Sequence, residues 1–431
     1  MFGQDNFINK KILIYGLGLS GKACLKYLSK NNEITIYDDN KSLKNKKNKG
    51  FFLSKKIILQ KKFDYIVISP GIDIKKCKLK SFLFKNKKII ITELDIFYLI
   101  FPKNIKITIT GTNGKSSTCQ MLYNIFKSDK IDVRLVGNIG NSALLERKVS
   151  QKTIFVIEAS SYQIFYSKYF KTDHAAILNL SSDHLERHGN INKYAKAKIK
   201  LIFNQNKNSH SYVESNNLII NKNISKNKIK SKLNRLNYNK ETFFKKKINN
   251  EYLLDKNNLN NIHFVYSICK KFKISDGKIF KTLNKFSGLK YRKQIIYNKK
   301  NLIIINDSKS TSFSSTIGLL STYKNIKWIV GGLFKKGDKF KLEKKYYKNI
   351  TAYIIGINKR YFTNQFKNKI KSKYFKNLKN AIFAIKKELN KDLNKKTILF
   401  SPAAASFDQF KNFKDRGDHF NNFIKKIILK K

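Results

Sequence analysis

The chain has 431 residues, 41% of them apolar, with 90 Lys and Arg against 28 Asp and Glu for a formal net charge of +62. That length calls for two to four domains. No apolar stretch reaches the roughly 18 residues of a membrane span, and the N-terminus lacks a signal-peptide layout, so a cytoplasmic protein without a membrane partner is expected. Four cysteines, Cys24, Cys77, Cys119 and Cys269, show neither metal-ligand nor secretory spacing. The positive charge suggests a nucleic-acid partner, but the lysines are spread through Asn- and Ile-rich sequence rather than gathered on one face or arm. A lysine-rich surface on an enzyme with anionic substrates is the preferred reading, with no nucleic acid expected. A nucleic-acid-binding ATPase is the competing class.

Glycine and proline are scarce, so their clusters mark tight turns or close backbone approaches. Residues 11–92 alternate strands and helices in a parallel α/β pattern: KILIYGLGLSG, EITIYDD, DYIVISPGI and KIIITELDIF each read as a strand, the first and third running into glycine turns. Gly16-x-Gly18-x-x-Gly21 matches the dinucleotide fingerprint, and Asp38 and Asp39 lie about 20 residues later. NAD, a nucleotide-sugar diphosphate and a turn without a ligand all fit that motif. Phe101-Pro102-Lys103-Asn104 reads as a short linker.

The next stretch, ITITGTNGKSST from Ile107 to Thr118, is an apolar strand turning through glycines into a helix N-terminus. Such a turn presents backbone N–H groups and a positive dipole end to an anion. Gly111, Thr112, Asn113, Gly114, Lys115, Ser116 and Ser117 therefore form a candidate phosphate loop, with Lys115 for phosphate oxygens and Ser116 for Mg²⁺. Ile109 replaces the first glycine of the full P-loop pattern. VGNIGNS (136–142) is a glycine-bounded loop, and TIFVIEASSYQI (153–164) is a buried strand ending at Glu158. By position, Glu158 is equally a Mg²⁺ ligand or part of a helix N-cap region. HAAILNLSSDHLERHG ends on Asp183-His184, and the helix after it carries lysines at 193, 196, 198 and 200 that spacing does not distinguish.

Residues 204–260 are weakly patterned; the helix at 257–272 then places Asn258 and Asn261 on one face. Arg292 lies in the loop leaving this block. The last block, 295–431, alternates again, and its strand ends carry Asp307-Ser308-Lys309, Lys335 and Ser401/Ser406. Ligands of open α/β sheets bind outside the carboxyl ends of strands, where these groups suit a small dianion.

Taken in order, TGTNGKSST, NIGN, EASSYQ, LNLSSDHLERHG, NDSKSTS, GGLFKKGDKF and SPAAASFDQFKNFKDRGDHF resemble the Mur ligases over nearly the whole chain. The Asp-Ser-Lys-x-Thr, Gly-Gly-x-x-Lys and Ser-Pro-Ala-x-Ala-Ser segments are similar to those of the D-glutamate-adding members. The resemblance implies an α/β protein of three domains. These are an N-terminal Rossmann-like UDP-substrate domain (1–94), a central P-loop ATPase-like domain (95–294) and a C-terminal Rossmann-like amino-acid domain (295–431). It implies ATP and Mg²⁺, the latter at two sites, with UDP-N-acetylmuramoyl-L-alanine and D-glutamate as substrates and a monomeric enzyme of peptidoglycan precursor synthesis.

On the same resemblance, Leu19, Ser20, Asp38 and Gly71 contact UDP, and Asn138 lies near the muramoyl substrate and the ATP phosphates. Lys115 grips phosphate, Ser116 and Glu158 hold one Mg²⁺, and His184 and Lys198 map to the second metal site, with Lys198 open to carbamylation. Asn258, Arg292 and Asp307 map to ATP contacts; Lys309, Thr311, Lys335, Ser406 and Phe413 map to the D-glutamate pocket. The family's Gly-x-His-Asn-x-x-Asn segment reads Asp255 to Asn261 here and loses its Gly and His. Ser182 stands where Glu is common, and Tyr291 where His is. A related Mur ligase or folylpolyglutamate synthetase with another acceptor is the alternative within the class.

Overall fold

Among the residues described by the computed structural model (7–45, 48–225, 227–237, 241–254, 256–299, 301–335, 337–389 and 395–429), β-branched apolar runs build three separate sheets. In the first, β1 (Lys11–Tyr15), β2 (Glu33–Tyr37), β3 (Tyr65–Ile68) and β4 (Ile90–Ile91) run parallel in the order β2-β1-β3-β4. The second contains β5 (Lys106–Thr110), β6 (Val133–Gly137), β7 (Ile154–Glu158), β8 (His174–Ile177), β9 (His210–Glu214) and β10 (Lys232–Leu236). These strands are parallel, in the order β10-β9-β8-β5-β7-β6. The third is built from β11 (Gln294–Lys299), β12 (Leu302–Asn306), β13 (Ile326–Gly331), β14 (Ile350–Ile355), β15 (Lys371–Tyr374) and β16 (Lys396–Phe400), in the order β11-β12-β16-β13-β14-β15. Only β11 is antiparallel to its neighbour there.

Parallel strands need crossover helices, which cover both faces and bury the strand side chains on either side. Accordingly Ile107, Ile109, Phe155, Val156 and Ile157 are all fully buried. Each such aliphatic side chain contributes about 1.5–3 kcal/mol relative to leaving it exposed. The same is true of Ile304, Ile305, Trp328 and Ile329 in the third sheet. The chain forms the expected α/β class, with three separate sheets.

The chain divides into two compact units, Met1–Phe286 and Ser287–Lys431. The first two sheets belong to the former and the third to the latter. Residues at the exit from the central block hydrogen-bond within the second unit: Lys309 N–H donates to Tyr291 O, and Lys293 N–H donates to Asp307 Oδ1.

One element differs from the sequence reading. KIIITELDIF was expected to be a strand, yet only Ile90 and Ile91 pair, and Glu93–Ile100 is a helix. The cause is local: Thr92 and Asp95 form a capping box, each side chain meeting the other's backbone N–H. Asp95 also reaches beyond its helix. It is fully buried, and its Oδ1 accepts the N–H groups of Lys168 (2.8 Å), Tyr169 (2.7 Å) and Phe170 (3.0 Å), so one carboxylate ties the end of the first sheet's block to the second sheet's. Replacing Asp95 by Ala leaves several buried donors without an acceptor. It should lower unfolding stability by on the order of 3 kcal/mol or more, with Asp95→Asn intermediate, as read by urea denaturation of the first unit's transition.

Candidate active site

The site grows from the turn after β5. Gly111 has φ +150° and Gly114 φ +83°, backbone conformations that favour glycine, and the Lys115–Ser128 helix starts directly after Gly114. A Cβ at Gly114 would stand 2.4 Å from Asn261 Oδ1, so the turn is packed against the face of the Lys256–Lys271 helix. Asn261 was not among the site residues expected from the sequence; its spacing from Asn258 was the signal. Asn258 itself is buried and donates from Nδ2 to Tyr252 O at 2.8 Å. Asp255, at the start of the altered segment, lies outside the described residues.

Asn179, at the end of β8, shapes the turn. Its carbonyl accepts Thr112 N–H (2.9 Å) and its Oδ1 accepts Asn113 N–H (2.8 Å). Lys115 Nζ donates to Gly111 O (2.9 Å) and Thr112 O (2.8 Å). The first N–H groups of the following helix have no intrahelical acceptor and present a positive dipole end, which together make an anion cradle. Ser117 stands in the first turn of that helix.

The register of β5 on β7 pairs Ile109 with Glu158, which brings the strand-end carboxylate level with the turn. Glu158 is 1% exposed; its Oε2 accepts Ser116 Oγ–H at 2.5 Å and its Oε1 accepts Asn138 Nδ2 at 2.8 Å. The Glu158–Ser161 segment is also the expected helix N-cap region, its cap falling on Ser160 with Gln163 closing a capping box. A hydroxyl and a carboxylate held together are hard oxygen donors of the kind Mg²⁺ takes, with phosphate and water completing its shell. Among the described residues no group of three or more His, Cys, Asp or Glu could hold a metal ion. A cation here would draw on that hydroxyl and carboxylate and on non-protein oxygens.

Lys198 lies under the same turn. It is 2% exposed, and its Nζ donates to Gly111 O (2.9 Å) and Thr110 Oγ1 (3.2 Å), 4.9 Å from the centre of the Tyr194 ring. Burial, then the charge of Lys115, pushes its ammonium well below the usual lysine range, with Asp183 and Glu158 opposing. Tyr194 OH lies 3.2 Å from Thr112 Oγ1, so the Ile191–Phe203 helix holds the turn from beneath. Burial pushes the Tyr194 hydroxyl up to about 12.

His184 occupies a left-handed position at φ +52° ahead of the short Leu185–His188 helix. Its Nδ1 is 3.0 Å from Tyr162 OH, and its Nε2 is 3.5 Å from Asp183 Oδ2. Tyr162 escaped the sequence reading because nothing in its spacing links it to a histidine 22 residues away.

At the first sheet, Gly16 (φ +94°) turns the chain into the Leu19–Leu28 helix, and Gly21 packs so closely that a Cβ would meet Gly16 O at 1.8 Å. Asp38 Oδ2 accepts Leu17 N–H at 2.7 Å, so this carboxylate braces the glycine turn. Leu19 is 91% exposed at the start of that helix and Ser20 half-buried beside it. Ser69 Oγ–H donates to Gly16 O at 2.6 Å, setting the Ser69-Pro70-Gly71 turn against the first.

The third sheet gathers its candidates at the carboxyl ends of neighbouring strands β12, β16 and β13. Asp307 is buried, accepting Lys293 N–H (3.0 Å) and Ser401 Oγ–H (2.7 Å), and burial pushes its carboxyl up to about 6. Lys309 Nζ sits 3.9 Å from the centre of the Phe413 ring. Leu333 and Ala405 exchange both backbone hydrogen bonds, which joins the Lys335 loop to the Ser406 segment. Ser406 is buried while Thr311 and Lys335 are exposed. Arg292 N–H closes its loop on Leu289 O. Arg416, absent from the sequence-derived candidates, is 1% exposed and donates to Ser308 O (2.7 Å) and Ala404 O (3.0 Å), tying two of these turns together.

With this geometry in view, the comparisons with known proteins are informative. The Mur ligase middle domain matches residues 109–283, and the MurD-like N-terminal domain of Mur ligases matches residues 10–91. The UDP-N-acetylmuramoylalanine--D-glutamate ligase of Rickettsia prowazekii (strain Madrid E) is 31% identical over 446 residues, covering 98% of this chain and 99% of that protein. The enzyme of the same name from Francisella philomiragia is 31% identical over 434 residues, covering 99% of each. Among solved structures, UDP-N-acetylmuramate-alanine ligase MurC from Thermotoga maritima shares the fold with a TM-score of 0.58 at 14% identity, covering 97% of this chain and 100% of that one. MurF ligase from Thermotoga maritima, solved in complex with ADP, has a TM-score of 0.56 at 13% identity, covering 100% of this chain and 97% of that one. Sequence and fold together place the chain in the Mur ligase family.

Proposed function

We propose that the protein joins D-glutamate to the L-alanyl carboxylate of UDP-N-acetylmuramoyl-L-alanine while converting ATP to ADP and phosphate, in the cytoplasm and as a monomer. The observation that carries this reading is the convergence on one glycine turn of Lys115, the Ser116–Glu158 pair and the buried Lys198. Relatives of that name at 31% identity over the full chain support the choice of substrates.

A carboxylate resists attack by an amine because its oxygen is a poor leaving group. In the proposed reaction a carboxylate oxygen attacks the γ-phosphorus of ATP, the bond to the β-phosphate oxygen breaks, and ADP leaves. The D-glutamate amine then attacks the acyl-phosphate carbonyl, loses a proton, and inorganic phosphate departs from the tetrahedral adduct. The protein's part is positioning and neutralisation of phosphate charge. The turn at Gly111–Ser117 cradles the triphosphate, with Lys115 exchanging its loop carbonyls for phosphate oxygens. Asn258, Arg292 and Asp307 serve ATP. Asn138, already oriented on Glu158, faces the muramoyl group. Leu19, Ser20, Asp38 and Gly71 hold the uridine nucleotide, and Lys309, Thr311, Lys335, Ser406 and Phe413 the amino acid. The proposed domain limits are 1–94, 95–294 and 295–431.

Magnesium ions bound here would neutralise phosphate oxygens. Ser116 and Glu158 fit one such ion, and His184 with Lys198 is the proposed second site. An ammonium cannot ligate a cation, but burial favours the neutral amine, which can add CO₂ and become a carbamate. Nuclear magnetic resonance of the protein in ¹³C-bicarbonate should show a carbamate signal that Lys198→Arg lacks. The variant's kcat should fall roughly tenfold to 100-fold, the range for groups that support a metal's ligands. An unchanged spectrum and rate would exclude carbamylation.

The function itself is tested by phosphate release with ATP, UDP-N-acetylmuramoyl-L-alanine and a panel of amino acids. Turnover should require D-glutamate. Turnover with L-glutamate or a diamino acid instead, or ATP hydrolysis stimulated by nucleic acid and not by the muramoyl substrate, would overturn the proposal.

A further inference from the structure

Arg187 belongs to no group described so far, yet it reaches from the His184 segment into the first sheet's block. Its guanidinium donates from Nη1 to Gly71 O at 3.3 Å and from Nη2 to Pro70 O at 3.3 Å and to Ile72 O. Thus one side chain serves three successive carbonyls of a single turn. Its Cζ lies 5.2 Å from the centre of the Tyr162 ring and 5.5 Å from that of Tyr166. Tyr166 OH in turn accepts Ile74 N–H at 3.2 Å, a second tie to the same turn.

Both ends of this arrangement meet candidate site residues. On one side, Tyr162, the ring beneath the guanidinium, holds His184 Nδ1 through its hydroxyl at 3.0 Å. On the other, Gly71 lies in the turn whose Ser69 hydroxyl is bonded to Gly16 O. A contiguous path therefore runs from the glycine turn at Gly16, through Ser69-Pro70-Gly71, Arg187 and Tyr162, to His184. Within the Met1–Phe286 unit, the path connects the proposed nucleotide-binding turn to the proposed metal-binding histidine.

We propose that Arg187 is a positioning residue for the muramoyl nucleotide. It fixes the Pro70–Ile72 turn relative to His184, so that the uridine end and the reacting carboxylate of one extended substrate are held at a set separation. Arginine suits this role because its planar fork can serve several carbonyls while stacking on aromatic faces, which an ammonium cannot do. The inference rests on the ligase reading above.

The test is steady-state kinetics of the full chain with ATP, D-glutamate and UDP-N-acetylmuramoyl-L-alanine, for the wild type, Arg187→Ala, Arg187→Lys and Tyr166→Phe. Arg187→Ala should raise KM for the muramoyl nucleotide roughly tenfold, as expected for loss of charged hydrogen bonds that locate a binding turn. The Mg²⁺ concentration for half-maximal rate should rise with it, while KM for D-glutamate stays within about twofold. Arg187→Lys should not restore the nucleotide KM. Tyr166→Phe, a milder change that keeps the ring, should shift it in the same direction by less. A merely structural role would lower the active fraction, and hence kcat, without this split. An active wild type whose Arg187→Ala and Tyr166→Phe variants keep the nucleotide KM, or raise all three KM values together, overturns the inference alone. A wild type inert toward the muramoyl nucleotide overturns the functional reading, and the inference with it.

Discussion

A lysine amine shut beneath the glycine turn at Gly111–Gly114 is the constraint around which the central block is arranged. Lys198 is 2% exposed, and it shares the Gly111 carbonyl with Lys115. Two cations so close cannot both stay charged cheaply in a poorly solvated place. The structure meets that cost with neutral acceptors, Thr110 Oγ1 and Gly111 O, and with the face of Tyr194. Burial and the charge of Lys115 both favour the neutral form of Lys198, the form of an amine that adds CO₂. Conversion to a carbamate would turn a site crowded with positive charge into one that supports a divalent cation.

The second feature of the molecule is the pair of charged side chains that join the blocks of its first two sheets through main-chain groups. Asp95 gathers three backbone donors from 168–170, and Arg187 gathers three carbonyls from 70–72. These are complementary devices, an anion that collects N–H groups and a cation that collects C=O groups. Each fixes a loop of one block by its main chain, so neither depends on the loop's own side chains. Charges satisfied in this way, Asp95 buried and Arg187 half-buried, are costly to disrupt because removal of the partner strands several polar groups at once. The third sheet uses the same device internally, where Arg416 joins the carbonyls of Ser308 and Ala404.

Much of this was legible in the sequence because it depends on local chemistry. The Ile107–Thr118 stretch shows its strand, its glycine turn and its helix in order, and β5, the two positive-φ glycines and the Lys115 helix stand where those residues put them. Glu158 was visible as a strand-end carboxylate, although only the β5–β7 register decides what it faces. The helix at Glu93 was misread because an apolar run of isoleucines outweighed the capping box that begins at the next residue, Thr92. Strands β9 and β10 lie within the weakly patterned 204–260 region, where lysine and asparagine mask alternation. Lys198 has no local mark, since lysines at 193, 196 and 200 share its helix and its distinction is burial alone. Arg187 acts on a turn brought close only by the packing of the two blocks, and Tyr162 on a histidine brought close by the fold of the second sheet's own block, neither of which spacing along the chain could show.

Positional oxygen labelling tests the central claim, that the turn at Gly111–Ser117 activates a carboxylate by phosphorylating it. UDP-N-acetylmuramoyl-L-alanine carrying ¹⁸O in its alanyl carboxylate would be turned over with unlabelled ATP and D-glutamate, and the released phosphate analysed by mass. One ¹⁸O atom should be transferred to each phosphate, because the oxygen that attacks the γ-phosphorus leaves with it. Phosphate without the label would contradict an acyl-phosphate route.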